Sequence, residues 1–519
     1  MKPIHHPVWQ ALISHQQSLS RIHLADLFKR DPDRFAKMHI RVPGLVFDYS
    51  KQHLTPDTIK LFTTLLNELD FQGHLDTLFS GGIVNSSEGR GALHAALRGS
   101  YIAPLSPKHP SLYLIETEAN HIKEQSQNWA RSFDPVLTDV IHVGIGGSAL
   151  GPQLAVDAFA HLQPSKDSPR IHFISNIDGH ALHPLLQRLD PKRTGVVVVS
   201  KTFTTDETLT NARSIQTWFE TAGQNDDEIK KRFIAITSSP DTALAQGYLP
   251  THILSFPAEI GGRYSVWSTV GLVIALRYGF DAFEHFLAGG HEADRHFQRA
   301  PLHENIPVLM AIISVWNNLF WDRKSQCIVP YDHRLSLLPA YLQQLIMESL
   351  GKSKDNEGHL LQTSSSGIIW GGTGTDAQHS FFQLLHQGTH ITPLEFIACI
   401  TPDHPYMPHH QKLLANALAQ AESLMNGNGT TDFPGNRPST FMLMDQLSPY
   451  SLGQLLAFYE HRVFTESIIF HINPFDQPGV EIGKKCAKTL LNEWKVGAIT
   501  DHDSSTSGLF QIILNDRMI

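Results

Sequence analysis

Between residues 140 and 256 five short apolar runs rich in β-branched residues recur: VIHVG (140–144), RIHFIS (170–175), GVVVVS (195–200), RFIAIT (232–237) and HILSF (252–256). Helical patterns separate them. Continuous apolar runs alternating with helices specify parallel strands buried on both faces, because the crossover helices cover the sheet from either side. In such sheets ligands settle beyond the carboxyl ends of the strands, so chemistry is expected in the residues that follow each run. A second alternation, CIVP (327–330), GIIW (367–370), FIACI (396–400) and FMLM (441–444), has long helical patterns between its runs, such as IPVLMAIISVWNNLFW (306–321), and predicts a second α/β unit.

The flanks read differently. Residues 1–103 are expected to be mainly helical: Trp9, Leu12, Ile13 and Leu19 fall at nearly helical spacing. Thr55-Pro56 joins an N-cap to a proline at the first helical position, ahead of Ile59, Phe62, Leu65, Leu66 and Leu69. GALHAALRG (91–99) is expected to carry a further helix. Near the end, VEIGKKCAKTLLNEW (480–494) reads as helical and 500–507 as a polar tail. The expected organisation is an N-terminal helical region (1–103) packing on the larger domain, a smaller domain (104–278) with a five-stranded parallel sheet, a larger domain (279–475) and a C-terminal extension (476–519).

Composition narrows the function. A net charge of −9 gives no electrostatic case for nucleic acid. No apolar run reaches the ~18 residues of a membrane span, and MKPIHHPVWQ lacks the apolar core of a signal peptide. Three cysteines, Cys327, Cys399 and Cys486, are odd in number and far apart, which fits a reducing cytoplasm. Histidine is abundant, with 31 residues. Its densest cluster, His404, His409 and His410, stands in a Pro-broken polar loop, and neither HExxH nor CxxC occurs, so no metal site is expected.

Six stretches carry chemistry. In DVIHVGIGGSALGP (139–152), Gly144, Gly146 and Gly147 turn a strand into a helix opened by Ser148. The unpaired N–H groups and partial positive charge of a helix start make such a turn an anion site, most often for phosphate. SKTFTTDET (200–208) follows the third run; its hydroxyls and Lys201 can ring a phosphate dianion, although the segment also suits an ordinary Ser/Thr cap. Two polar helix starts at one sheet edge imply one phosphate pocket. GGRYSVWS (261–268) projects Arg263, whose planar donors match a carboxylate, a phosphate or a developing oxyanion. QQLIMESLGK (343–352) sets Glu348 after apolar residues, surroundings that suit a general base; from the segment alone a solvent-facing helix glutamate is the better reading. GTGTDAQHSFFQLLHQGT (372–389) opens an apolar helix with Gln378-His379, and FDQPGVEIGKK (475–485) sets Gln477 and Lys484 around a Pro-Gly turn. Alone, the histidine suits a cap or core position and the lysine a solvated surface.

Taken together and in order, GIGGSxLGP (144–152), SKTFTTxET (200–208), GGRYSVWS (261–268), MESxGK (347–352), QHSFxQLxHQG (378–388) and GVEIGK (479–484) resemble the glucose-6-phosphate isomerase family. DYSK (48–51), ALHAALR (92–98), GNRPS (435–439) and YEHRVF (459–464) extend the resemblance over nearly the whole chain. It implies two α/β/α sandwich domains of the sugar-isomerase, doubly wound type, and a homodimer. It also implies reversible conversion of glucose 6-phosphate to fructose 6-phosphate in glycolysis and gluconeogenesis, without metal or cofactor. On that resemblance Ser148, Ser200, Lys201, Thr202 and Thr205 hold the phosphate and nearby sugar, with the backbone around Gly147. Glu348 moves the proton between C1 and C2 through a cis-enediol, and Arg263 stabilises the enediolate. His379, reaching in from the partner subunit, assists ring opening with Lys484, while Gln344 and Gln477 line the pocket. The chain departs from the family pattern at Ala149 (usually Asp), Leu350 (usually Asn), Asp376-Ala377 (commonly Asn-Gly) and Pro478 (commonly Trp).

Two other readings compete. Gly144, Gly146 and Ala149 formally match the nicotinamide fingerprint, but the ribose-binding acid would be Asp178, 34 residues beyond Gly144 rather than ~20. A non-catalytic sugar-phosphate sensor would need the phosphate clamp but not Glu348, His379 and Lys484 in matching contexts.

Overall fold

The computed structural model describes residues 6–99, 111–497 and 499–515; the expected boundary at 103/104 lies outside them. The chain forms two units, residues 1–475 and 476–519. The first is mixed α/β, built on two sheets. β3 (Asp139–Val143), β4 (Arg170–Ile174), β5 (Thr194–Val199), β6 (Phe233–Thr237) and β7 (Ile253–Ser255) make a fully parallel sheet in the order β4-β3-β5-β6-β7. Every residue of β3, β5 and β6 is buried, as continuous apolar runs require when helices cover both faces.

The second sheet runs, from one edge to the other, β1 (His39–Val42), β2 (Leu45–Asp48), β11 (Ser439–Met444), β10 (Leu394–Cys399), β8 (Ser325–Pro330) and β9 (Ile368–Gly371), the last four parallel. Its other two strands were not expected. β1 (His39–Val42) and β2 (Leu45–Asp48), in the region read as helical, form a hairpin whose β2 pairs antiparallel with β11. The signal was present: Pro43-Gly44 joins two short alternating runs, and Gly44 takes φ +82°, as the third position of such a turn demands.

Two other expectations are corrected and one holds with a change of helix type. GALHAALRG gives one 3-10 turn, Ala96–Arg98, because Arg98 turns inward to buried carboxylates and Gly99 stops the turn at φ +76°. The helix expected over 306–321 is α-helical over Ile306–Val315 and π-helical over Trp316–Phe320. The polar tail contains a helix, Ser504–Asn515. Helices Pro7–Leu19 and Pro56–Glu68 form as read, the latter closed by a capping box of Thr55 and Thr58. The second unit carries helix Glu481–Val496. Among the described residues no helix is long and apolar enough to cross a membrane.

The most enclosed helix of the first unit is Pro449–Phe470, buried around nearly its whole circumference. It lies against helix Phe280–Arg299 so closely that a Cβ on Gly289 would fall 1.8 Å from Tyr450 O, and one on Gly453 2.1 Å from Phe286 O. Charges inside this contact are paired. Arg98 donates to Asp294 and Glu460 and lies over the Trp267 ring at 4.4 Å. Trp267 Nε1 donates to Glu460 at 2.7 Å, and His461 Nε2 lies 2.6 Å from Asp294. Burial by itself would raise Asp294, yet the Arg98 and His461 charges hold it well below the carboxylate range.

Candidate active site

The parallel sheet has its topological switch between β3 and β5: the chain leaves β3 for β4 on one side and returns for β5 on the other. A crevice forms at the carboxyl ends of such a pair. The loops at that edge are 144–148 and 200–205, the two phosphate-type stretches.

After β3 the chain makes a 3-10 turn, Gly146–Ser148, and enters helix Leu150–Ala158. Gly146 has φ +58°. His142 Nε2 lies 2.7 Å from Ser148 O and braces the turn from within the sheet. Gly147 is needed for a different reason: a Cβ there would lie 2.1 Å from the carbonyl carbon of Gly262 and 2.5 Å from Arg263 N. Bare backbone thus brings the 144–148 turn against the arginine loop.

After β5, Ser200–Thr205 leads into helix Asp206–Thr221, whose first turn holds Asp206 and Glu207. Ser200 and Thr205 hydroxyls are 2.9 Å apart, and those of Thr202 and Thr204 2.7 Å. Ser200 is buried and Thr202 exposed. Lys201 is anchored by its carbonyl, which accepts from Ser238 N and Thr237 Oγ1 at 2.9 and 3.0 Å. Burial, reinforced by the nearby Arg90 charge, lowers its ammonium to about 8.

Arg263 leaves this loop junction with its side chain 1% exposed. Nε donates to Ser349 Oγ and Nη2 to Pro474 O, both at 2.6 Å, and Nη1 stands 3.4 Å from Glu348 Oε1. Ser349 Oγ also meets Tyr264 OH at 3.1 Å. Two of the fork's directions are therefore fixed by the protein and the third faces the carboxylate. Glu348 thus faces a guanidinium, not only the apolar residues before it in sequence. It ends a π-helix, Gln343–Glu348, that also carries Gln344; such widened turns are frequent at functional sites. Leu345 and Ile346 bury the opposite side. Gln344 Nε2 lies where a Cβ on Gly146 would be 2.9 Å away. Gly146, Gly147, Arg263, Gln344 and Glu348 thus meet in one place, beside the loop of Ser200, Lys201, Thr202 and Thr205.

His379 ends a 3-10 turn, Asp376–His379, that follows Thr375 at φ +52°. It is exposed and makes no hydrogen bond or ion pair among the described residues. Its neighbour Gln378 is tied inward, to Tyr331 and Asn416. Gln477 and Lys484 belong to the second unit, where Lys484 pairs with Glu481 at 2.8 Å, both 57% exposed. Of the departures from the family pattern, Leu350 is fully buried in the main core and Ala149 is 2% exposed. The expected ribose acid, Asp178, caps helix Gly179–Leu186 and holds His180 Nδ1 at 2.7 Å, which gives it a local structural role. In the histidine cluster, His410 Nε2 lies 2.8 Å from Ile400 O and His404 Nδ1 accepts from Tyr406 N.

Several supporting residues were not identified from sequence. Ser349, Tyr264 and Pro474 orient Arg263. Asn473 Nδ2 donates to Asn85 Oδ1 at 2.8 Å and so pins the segment whose next carbonyl receives Arg263. Arg98 and Glu460 hold Trp267 at the end of the arginine loop. ALHAALR and YEHRVF contain the last pair, yet nothing in their spacing reveals that they meet.

Residues 48–510 match the family model described as phosphoglucose isomerase. The chain is 40% identical over 526 residues to a glucose-6-phosphate isomerase of Cupriavidus taiwanensis, covering 96% of each chain, and 39% identical over 540 residues to one of Methylococcus capsulatus, covering 97% and 98%. The crystal structure of a glucose-6-phosphate isomerase from Chlamydia trachomatis superposes with a TM-score of 0.89 at 31% identity, over 99% of this chain and 100% of that one. A crevice at the sheet switch point, a buried arginine facing a carboxylate, and likeness over almost the entire length lead to one assignment: the chain belongs to the phosphoglucose isomerase family.

Proposed function

We propose that the protein interconverts glucose 6-phosphate and fructose 6-phosphate in glycolysis and gluconeogenesis. The observation that carries the mechanism is the pairing of Arg263 with Glu348 beside two phosphate-type loops. The substrate phosphate is taken by Ser148, Ser200, Lys201, Thr202 and Thr205, in loops that a parallel sheet holds side by side. This fixes one end of the sugar and presents C1 and C2 to Glu348. The carboxylate removes the proton from C2 of the open-chain aldose and returns it to C1. Between those steps the enediolate oxygen carries negative charge, which a rigidly held guanidinium stabilises without reorganising. Two of the Arg263 nitrogens are already committed to Ser349 and Pro474, so the fork is oriented before substrate arrives.

Ring opening is assigned to His379 and Lys484, and Gln344 and Gln477 line the sugar. The exposed, unengaged His379 supports a homodimer in which it serves the partner's site. Cys327 and Cys399 are buried and unpaired, which supports placing the enzyme in the cytoplasm. The proposed domain division follows the sheets: 104–278 holds the five-stranded one and 279–475 the parallel strands of the other, with the N-terminal region adding its hairpin.

The test is turnover of fructose 6-phosphate by wild type and Glu348→Gln side by side. The substitution keeps shape and removes the base, so kcat should fall by at least ~10²-fold. A variant within a few-fold of wild type would remove Glu348 from the proton transfer.

A further inference from the structure

Helix Asp206–Thr221 rises from the phosphate loop and is followed by helix Asp226–Arg232. Between them, the start of β6 and the turn at 246–248 lies a cavity of about 340 Å³. Leu209, Ile229, Phe233 and Tyr248 give it an apolar floor, and Arg213 and Gln246 stand at its rim. Two of these residues reach through to the phosphate loop. Gln246 Nε2 donates to Phe203 O at 2.9 Å, and the Tyr248 ring meets the Phe203 ring edge-on, with centroids 5.0 Å apart.

Phe203 occupies the middle of the loop, between Thr202 and Thr205. It is fully buried and has φ +55°. Left-handed backbone is costly for a bulky aromatic residue and persists only where the surroundings hold it. Here Gln246 holds its carbonyl and Tyr248 its ring. The placing of the phosphate-binding hydroxyls therefore depends on two residues that also line the cavity. Charge at the rim is uneven. Lys230 is engaged with Asp226 at 2.5 Å, whereas Arg213 is 67% exposed, reaches Asp206 only at 3.9 Å and bonds Thr210 at 3.2 Å.

We infer that this cavity is a second small-molecule site, taking an organic anion with a compact apolar body and one carboxylate or sulfonate directed at Arg213, and that its occupation tightens substrate binding through Phe203. The inference rests on the reading of 200–205 as the phosphate loop. The cavity exists together with the strained form of that loop. A ligand that fits it favours this form over any relaxed one, and so raises affinity for the phosphate ester.

The probe is 1-anilinonaphthalene-8-sulfonate, titrated by fluorescence into the whole protein and present at saturation in fructose 6-phosphate assays. The expected result is one saturable site and a KM lowered about fivefold, the small end of usual couplings between sites, with kcat unchanged. Arg213→Glu, on the exposed rim, should weaken probe binding at least tenfold and cancel the KM response while leaving turnover without probe as in wild type. Gln246→Leu keeps the cavity and removes the bond to Phe203. It should raise KM about fivefold without probe, the usual weight of one hydrogen bond, and still bind the probe. Probe binding indifferent to Arg213→Glu, or a KM that is unchanged or raised by the probe, overturns the inference. Its failure is separable from that of the function reading: a wild type that does not turn over hexose 6-phosphates without probe refutes the latter, whereas normal turnover that ignores the probe refutes only the former.

Discussion

Gly147→Ala tests the geometry most directly. Its added methyl would sit 2.1 Å from Gly262 C, 2.2 Å from Gly262 O and 2.5 Å from Arg263 N. All three are backbone atoms, so no side chain can swing aside. Ordinary contact begins at 3.4 Å, so the two loops must part by about 1.3 Å. That displacement separates the phosphate-binding turn from the arginine that faces Glu348. A misplacement of about 1 Å typically costs ~10²-fold in rate, and kcat for fructose 6-phosphate should fall by that order in a coupled assay. Gly262→Ala is the internal comparison: its Cβ meets nothing within 4 Å, so its loss should be at least tenfold smaller. Equal effects of the two substitutions, or a Gly147→Ala enzyme with wild-type kcat, would refute the argument that close backbone approach registers the two loops.

Lys201, lowered to about 8 by burial and Arg90, sets a pH dependence. Its cation is present below 8 and lost above, so KM should rise as pH passes 8, by up to about tenfold per unit, with kcat steady. Lys201→Gln should flatten that limb, and an alkaline limb unchanged in the variant would assign it to another group. Arg98→Met leaves Asp294 and Glu460 buried without their shared cation. Urea unfolding should show a loss of about 3–5 kcal/mol, and a loss below ~1 kcal/mol would mean that Trp267 and His461 satisfy both acids alone. If His379 acts across a dimer, Glu348→Gln and His379→Ala proteins, each weak alone, should recover up to about a quarter of wild-type activity when their subunits are exchanged, since half the dimers are mixed and each has one intact site. No recovery under proven exchange would place His379 in its own subunit's site.

Much of this architecture is legible in residue order alone. Apolar runs such as GVVVVS must be buried on both faces, and helices between them force parallel strands and a ligand edge at their carboxyl ends. Gly146-Gly147-Ser148 and the Ser200–Thr205 hydroxyls declare anion sites because helix starts expose N–H groups. These are local properties, carried by residue type and spacing. What escaped was long-range or set by pairing. β1 and β2 are four residues each, marked in sequence only by the Pro43-Gly44 turn between them, and they pair with the edge that β11 offers. ALHAALR has helical propensity, but Arg98 gains more from Asp294 and Glu460, some 200 and 360 positions away, than the segment gains from another turn of helix. From its own segment Glu348 reads first as a solvent-facing glutamate, and no count of residues could set Arg263 Nη1 3.4 Å from it. Residue order is enough to set the class of fold, the edge where ligand binds and the chemistry of the groups near it. Which of those groups face one another is settled only in the folded chain, because it depends on contacts between segments far apart in sequence, at points such as Gly147 on Gly262 where bare backbone meets bare backbone.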